Sequence, residues 1–274
     1  MSVLSSEKYW ELVNRLIGRG VTTAIGWQHH DPSEYAHYRR KGFGKAVERI
    51  LRDVRKHMFW SKLLYDYAVG ECPSEIEGNP IYGLLTRNGF SAERVGMVLV
   101  KWTAHRSPRN TLWISGYAPT GASALATALA YTAPLMCCAD PRNRGNPFEG
   151  CSPCLLLWWE GDCVGNHCVD MVKQVFRGEH AFMPEESSRE GCMRELFKTP
   201  VLVLSNKNMC RTYVRRGVDS AEHEASLRDC MYRLHLTESM PEEESISCQD
   251  VRDFLGWALD RHASFKDCHD LKDC

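Results

Sequence analysis

Residues 116–123 read Gly-Tyr-Ala-Pro-Thr-Gly-Ala-Ser. The two glycines and the final hydroxyl stand at the spacing of a phosphate-binding loop, G-x-x-x-x-G-K-[ST]. The chemistry of such a loop is nucleotide binding. Backbone N–H groups at a helix N-terminus wrap the phosphates, a lysine places positive charge on the β- and γ-phosphates, and the hydroxyl holds Mg²⁺. Gly116, Thr120, Gly121 and Ser123 are therefore the candidate nucleotide-binding residues, with Ser123 at the Mg²⁺ position. Ala122 fills the lysine position. Without that charge, nucleotide affinity should fall and hydrolysis nearly vanish. Two glycines alone also suit an ordinary strand-to-helix turn.

A phosphate loop needs a strand before it and a helix after it. Residues 111–115 (Thr-Leu-Trp-Ile-Ser) supply the strand, with β-branched and aromatic side chains. Residues 123–131 read as the helix. Two further apolar runs, 155–159 and 200–205, are continuous rather than alternating, as strands buried on both faces of a parallel sheet require. A last helix is expected over 250–261. Strands alternating with helices give an α/β domain.

The stretch to about Lys62 is different. Tyr9, Trp10, Leu12, Val13, Leu16 and Ile17 fall at helical spacing before Gly18 and Gly20. Val47, Ile50, Leu51 and Val54 form a second stripe backed by Arg and Lys, so a small basic helical bundle is expected. That charged face reads most simply as solvated. The bundle is assigned to residues 1–70, a Gly-, Pro- and Ser-containing linker to 71–80, the α/β core to 81–262 and a tail to 263–274.

The chain has 274 residues, 43% hydrophobic, with a formal net charge of -1. That near-neutral balance argues mildly against a chain devoted to gripping DNA. Thirteen cysteines, an odd number in an irregular pattern, fit a reduced intracellular protein. The chain is expected in the nucleus or cytoplasm, not secreted and not in a membrane. Cys151 and Cys154 have C-x-x-C spacing, with Cys163, His167 and Cys168 following. No second closely spaced pair supports a zinc site, and no metal is expected there.

Several segments in order carry a family resemblance. They are 114–130 (ISGYAPTGASALATALA), 146–151 (NPFEGC), 156–160 (LLWWE), 203–210 (VLSNKNMC), Glu222-His223, Leu227-Arg228-Asp229 and 250–254 (DVRDF). Together with Trp10-Glu11-Leu12-Val13 they resemble the superfamily 3 helicase region of parvovirus Rep-type proteins, nearest the adeno-associated branch. The resemblance implies an AAA+ P-loop NTPase core behind a helical oligomerisation bundle. It also implies rings that couple ATP hydrolysis to DNA unwinding.

Against that family pattern the departures fall on the chemistry. Ala122 replaces the lysine. Glu160 matches the first acid of the Walker B strand, but Gly161 replaces the second. Cys230 stands in the arginine-finger position, with Arg228 two residues away. Asn206 matches the sensor asparagine. The stretch 178–196, where the family has a lysine-rich DNA hairpin, carries Glu179, Glu185, Glu186, Glu190 and Glu195 against Arg189 and Arg194. His29 and His30 are adjacent, not alternating, so no nickase metal site is expected.

The resulting expectation is a pseudo-ATPase with no intact catalytic residue and at most weak ATP and Mg²⁺ binding. It would associate with itself or with Rep-like subunits, bind DNA weakly or not at all, and possess an endogenous or degenerate viral origin. The alternatives are a residual ATP-dependent helicase of viral genome replication and a decayed element without selected function.

Overall fold

The computed structural model describes residues 6–40, 44–143, 145–151, 153–161, 164–184, 193–214 and 218–261. The chain divides into two compact units, residues 1–62 and 63–274.

The first unit is helical: α1 (Ser6–Gly18), α2 (Ala24–His30), α3 (Pro32–Arg39) and α4 (Gly44–Ser61). Leu12, Val13, Leu16 and Ile17 of α1 are buried, as are Val47, Ile50, Leu51, Val54 and Met58 of α4. These are the stripes that the 3.6-residue period puts on one face. The turn after α1 closes at Gly20, whose φ of 68° suits glycine. Asp31 caps α3 through the Glu34 N–H at 2.8 Å, and Pro32 opens the helix.

The second unit runs α5 (Tyr65–Ala68), α6 (Pro80–Arg87), α7 (Ala92–Thr103), β1 (Thr111–Ser115), α8 (Ala122–Tyr131), β2 (Met136–Cys138), β3 (Leu156–Glu160) and β4 (Val164–Gly165). There follow α9 (Val169–Arg177), β5 (Ala181–Pro184), β6 (Met193–Leu196), β7 (Val201–Leu204), β8 (Thr212–Val214), β9 (Val218–Ser220), α10 (Glu224–Arg228), β10 (Met231–His235) and α11 (Cys248–Arg261). The main sheet has the order β10-β1-β7-β3-β2, all parallel.

This is the α/β core that the continuous apolar runs demanded. Alternate residues of each strand enter two separate cores. Leu112, Ile114, Leu156 and Leu202 join α5 to α8 and α11, while Trp113, Leu157, Trp159, Val201 and Val203 face α9 and the Cys151–Cys154 turn. A strand buried on both faces has no polar side to alternate.

The last residues assigned to the bundle and the linker after them are packed into the second unit. Leu64, Ala68 and Ile76 are buried in its core, and the Gly70 N–H donates to the Arg252 carbonyl at 3.0 Å. The second compact unit begins at Leu63, and apolar residues past that point pack on α11. Gly256 of α11 meets the same segment. A Cβ there would lie 2.5 Å from the Glu71 carbonyl oxygen and 2.6 Å from that of Gly70. Backbone does not yield as a side-chain end does, so Gly256→Ala is expected to cost about 1–3 kcal/mol, read as a lower urea midpoint.

His105 ends α7's following turn in the left-handed region, φ 57°. Its Nε2 is buried without a hydrogen-bond partner, and its carbonyl accepts from Lys198 Nζ at 3.1 Å. Burial, and then the Lys198 charge, lower its pKa to about 4 from 6.5. The folded ring stays neutral where the unfolded one takes a proton. Its contribution is therefore complete above pH 6.5 and lost as pH falls through 4. Asn tolerates the same backbone conformation. His105→Asn is expected to flatten the fall of the urea midpoint between neutral and acid pH.

Candidate functional site

The sheet presents its strand C-termini to one edge, where open α/β folds bind ligands. Ser115 ends β1 there, Glu160 ends β3, Asn206 follows β7 and His235 ends β10. Ser115 Oγ and His235 Nδ1 are 2.9 Å apart. The Gly116 N–H donates to Asn206 Oδ1 at 2.7 Å, so the asparagine spans from its strand to the first loop glycine.

The loop from Gly116 to Gly121 joins β1 to α8 as the spacing requires. Neither glycine can be replaced freely. A Cβ at Gly116 would run into Thr120 Oγ1 and lie 2.7 Å from the Leu236 carbonyl. Gly121 has φ 78°, and α8 starts at the next residue. The Thr120 N–H is turned inward, donating to the Tyr117 carbonyl at 2.9 Å. Thr120 Oγ1 is buried with no partner, which leaves a hydroxyl for a phosphate oxygen, and the Ser123 residue is exposed. The residues thus fit a phosphate through hydroxyls and helix-terminal amides. They do not supply the lysine charge, since Ala122 directs a buried methyl into the core.

A segment that spacing did not reveal lies on this loop. The Met240 N–H donates to the Pro119 carbonyl at 2.9 Å, and Met240 Sδ sits 2.8 Å from where a Gly121 Cβ would stand. Asn88 Oδ1 accepts from the N–H groups of Thr237 (2.7 Å) and Glu238 (3.0 Å). Arg87 grips Glu244 with two hydrogen bonds of 3.1 and 2.5 Å. These partners come from distant stretches, so no local pattern announces them.

Of the other candidate positions, Glu160 shares this edge, whereas Cys230 precedes β10 at the opposite end of the sheet. Glu160 is exposed, and its Oε2 accepts from Trp158 Nε1 at 3.4 Å. At Gly161 an added Cβ would lie 2.7 and 2.9 Å from ring atoms of Pro141. Cys230 is buried in the second core and its thiol donates to the Ser226 carbonyl at 2.9 Å. Burial pushes that thiol's pKa up, and the Arg177 side chain beside it pulls the other way. Arg228 is exposed and pairs with Glu224.

Of the cysteines singled out above, Cys151 donates to the Cys138 carbonyl and Cys168 to the Gly165 carbonyl. Cys163 lies outside the described residues. No group of three or more His, Cys, Asp or Glu among the described residues is arranged for a metal ion. Among the described residues, β5 and β6 form an antiparallel hairpin, with His180 within 3.7 Å of Glu195. Glu185, Glu186, Arg189 and Glu190 lie outside the described residues, as does the 263–274 tail. His29 and His30 are exposed on α2. No helix among the described residues is long and apolar enough to cross a membrane.

A sequence model of the parvovirus non-structural protein NS1 family matches residues 3–269. The chain belongs to that family. The NS1-family match spans every candidate position from Gly116 to Cys230.

Among relatives, the uncharacterized protein ORF2 of fowl adenovirus A serotype 1 (strain CELO / Phelps) is 46% identical over 272 residues, covering 97% of this chain and 99% of that protein. Protein Rep52 of adeno-associated virus 2 is 30% identical over 254 residues, covering 91% of this chain and 63% of Rep52. Initiator protein NS1 of bovine parvovirus 1 is 24% identical over 212 residues, and the aligned part spans only 24% of it. The chain therefore matches the adenovirus protein end to end but less than two thirds of the parvovirus NS1-family proteins. Among solved structures, JCV helicase aligns with 92% of this chain and 80% of its own, at a TM-score of 0.47 and 10% identity.

Proposed function

We propose that this NS1-family chain is a helicase-like protein that has lost ATP turnover and acts by associating with itself or with active family subunits. The observation that carries the reading is how positions 122, 161 and 230 are filled. A buried methyl stands for the lysine, a proline ring abuts the second acid position, and a buried thiol occupies the finger position. Phosphate contact through Thr120 and the loop amides remains open, so weak nucleotide binding is retained. The 46% identical relative belongs to an adenovirus, which supports descent from a Rep gene carried outside a parvovirus genome.

In the family resemblance each ATP site draws on two neighbouring subunits. A subunit without lysine and finger would then disable the sites on both of its sides. Titrating this chain into an active family member is expected to lower ATPase and unwinding more steeply than dilution does. A purely additive mixture would remove the co-assembly reading.

A further inference from the structure

The charge of the chain is divided along it. Residues 1–62 carry twelve Lys and Arg against six Asp and Glu, a formal net of +6. Residues 63–274 carry twenty-two against twenty-nine, a net of −7. The overall −1 therefore conceals a strongly basic bundle. Such asymmetry between parts of a chain points to a polyanionic partner for the basic part.

The cations are concentrated on α4. Its apolar stripe is buried, and Arg49, Arg52, Arg55 and Lys56 are exposed on the remaining surface. Glu48, Arg49, Arg52 and Arg55 line a concavity of about 590 Å³. Two of these guanidinium groups are held in place. Arg49 lies over the Tyr9 ring at 5.8 Å from its centroid, and Arg55 Nη1 donates to the Thr22 carbonyl at 2.9 Å. Of the two carboxylates here, Asp53 accepts from Tyr9 Oη at 2.6 Å and lies 4.0 Å from Arg52 Nε, while Glu48 is exposed beside three guanidinium groups and leaves the face net basic. A guanidinium carries five N–H donors, so a held arginine keeps several for a ligand and loses less freedom on binding it.

We propose that this face of α4 binds the phosphodiester backbone of nucleic acid without regard to sequence. At 1.5 Å rise per residue, Arg49 and Lys56 are about 10 Å apart along the helix axis. One strand of a duplex advances about 3.4 Å along the helix axis per phosphate, so the row spans about three phosphate steps. Contacts of this kind fix position and carry no base information. The proposal moves the nucleic-acid contact to the basic bundle, and it does not depend on whether ATP is hydrolysed.

The test is fluorescence anisotropy of the full chain, without nucleotide, on a labelled mixed-sequence single-stranded DNA and on its duplex. Binding is expected at about 50 mM salt, with a log–log salt slope of about −2 for the single strand. The double variant R52E/K56E is expected to weaken binding at least about tenfold and to flatten the slope, two phosphate contacts being reversed in sign. Its thermal melt should match the wild type, because both side chains are exposed. Arg106→Glu, an exposed charge reversal in the acidic unit, should leave affinity unchanged. Failure of the wild type to bind either DNA at low salt would overturn the proposal, as would binding that R52E/K56E leaves intact.

Discussion

The unmodified chain is expected to release no phosphate from ATP above background, with or without single-stranded DNA. Phosphoryl transfer gives a protein little covalent work, so turnover depends on charges placed around the transferring group. An arginine finger alone contributes about 10³–10⁵ in rate. On the proposed reading the finger position carries a buried thiol and the lysine position a buried methyl. Ala122→Lys by itself is expected to bring no recovery of turnover, and because position 122 is buried among apolar residues its ammonium strengthens ATP binding only by reaching past them to the loop. Equilibrium nucleotide binding and phosphate release on the same preparations separate the two effects. Turnover by the unmodified chain would end the pseudo-ATPase reading.

Cys230→Arg is expected to destabilise the second unit by about 3 kcal/mol or more, the scale for an uncompensated buried charge. Cys230 is 2% exposed and packs among Leu227, Met231 and the residues of the second core. A guanidinium there loses its water and meets Arg177, whose side chain already lies beside the thiol. Cys230→Ser nearly keeps the size and puts an O–H donor in place of the S–H that points at the Ser226 carbonyl, so it should cost much less. Urea denaturation of the two variants reads the difference directly. An unchanged midpoint for Cys230→Arg would mean that position 230 can turn outward, which would reopen its role as a finger.

The sheet and its loop were legible for a physical reason. Strands buried on both faces must be apolar throughout, and 111–115, 155–159 and 200–205 announced themselves that way. The edge strands did not. β2 has only three residues, two of them cysteine, and β10 exposes Arg233 and His235, which breaks its apolar run. The helices α6 and α7 precede the first strand without a motif, although Asn79-Pro80 and Ser91 cap them as the rules for helix starts would ask. At the candidate site, Gly116, Thr120 and Gly121 were picked out because the loop is a local pattern, and Asn206 through the family resemblance. Pro141, Asn88 and Met240 were not, because each reaches the site across more than a hundred residues or through a turn with no signature of its own.

The proline ring against Gly161 also constrains how this sequence can change. A carboxylate at 161 meets that ring, while opening residue 141 alone adds no chemistry. Each single step is therefore unfavourable or idle, and only the pair together makes room for a second acid. Two positions coupled in this way act as a ratchet, so a side chain at 161 waits on a change at 141.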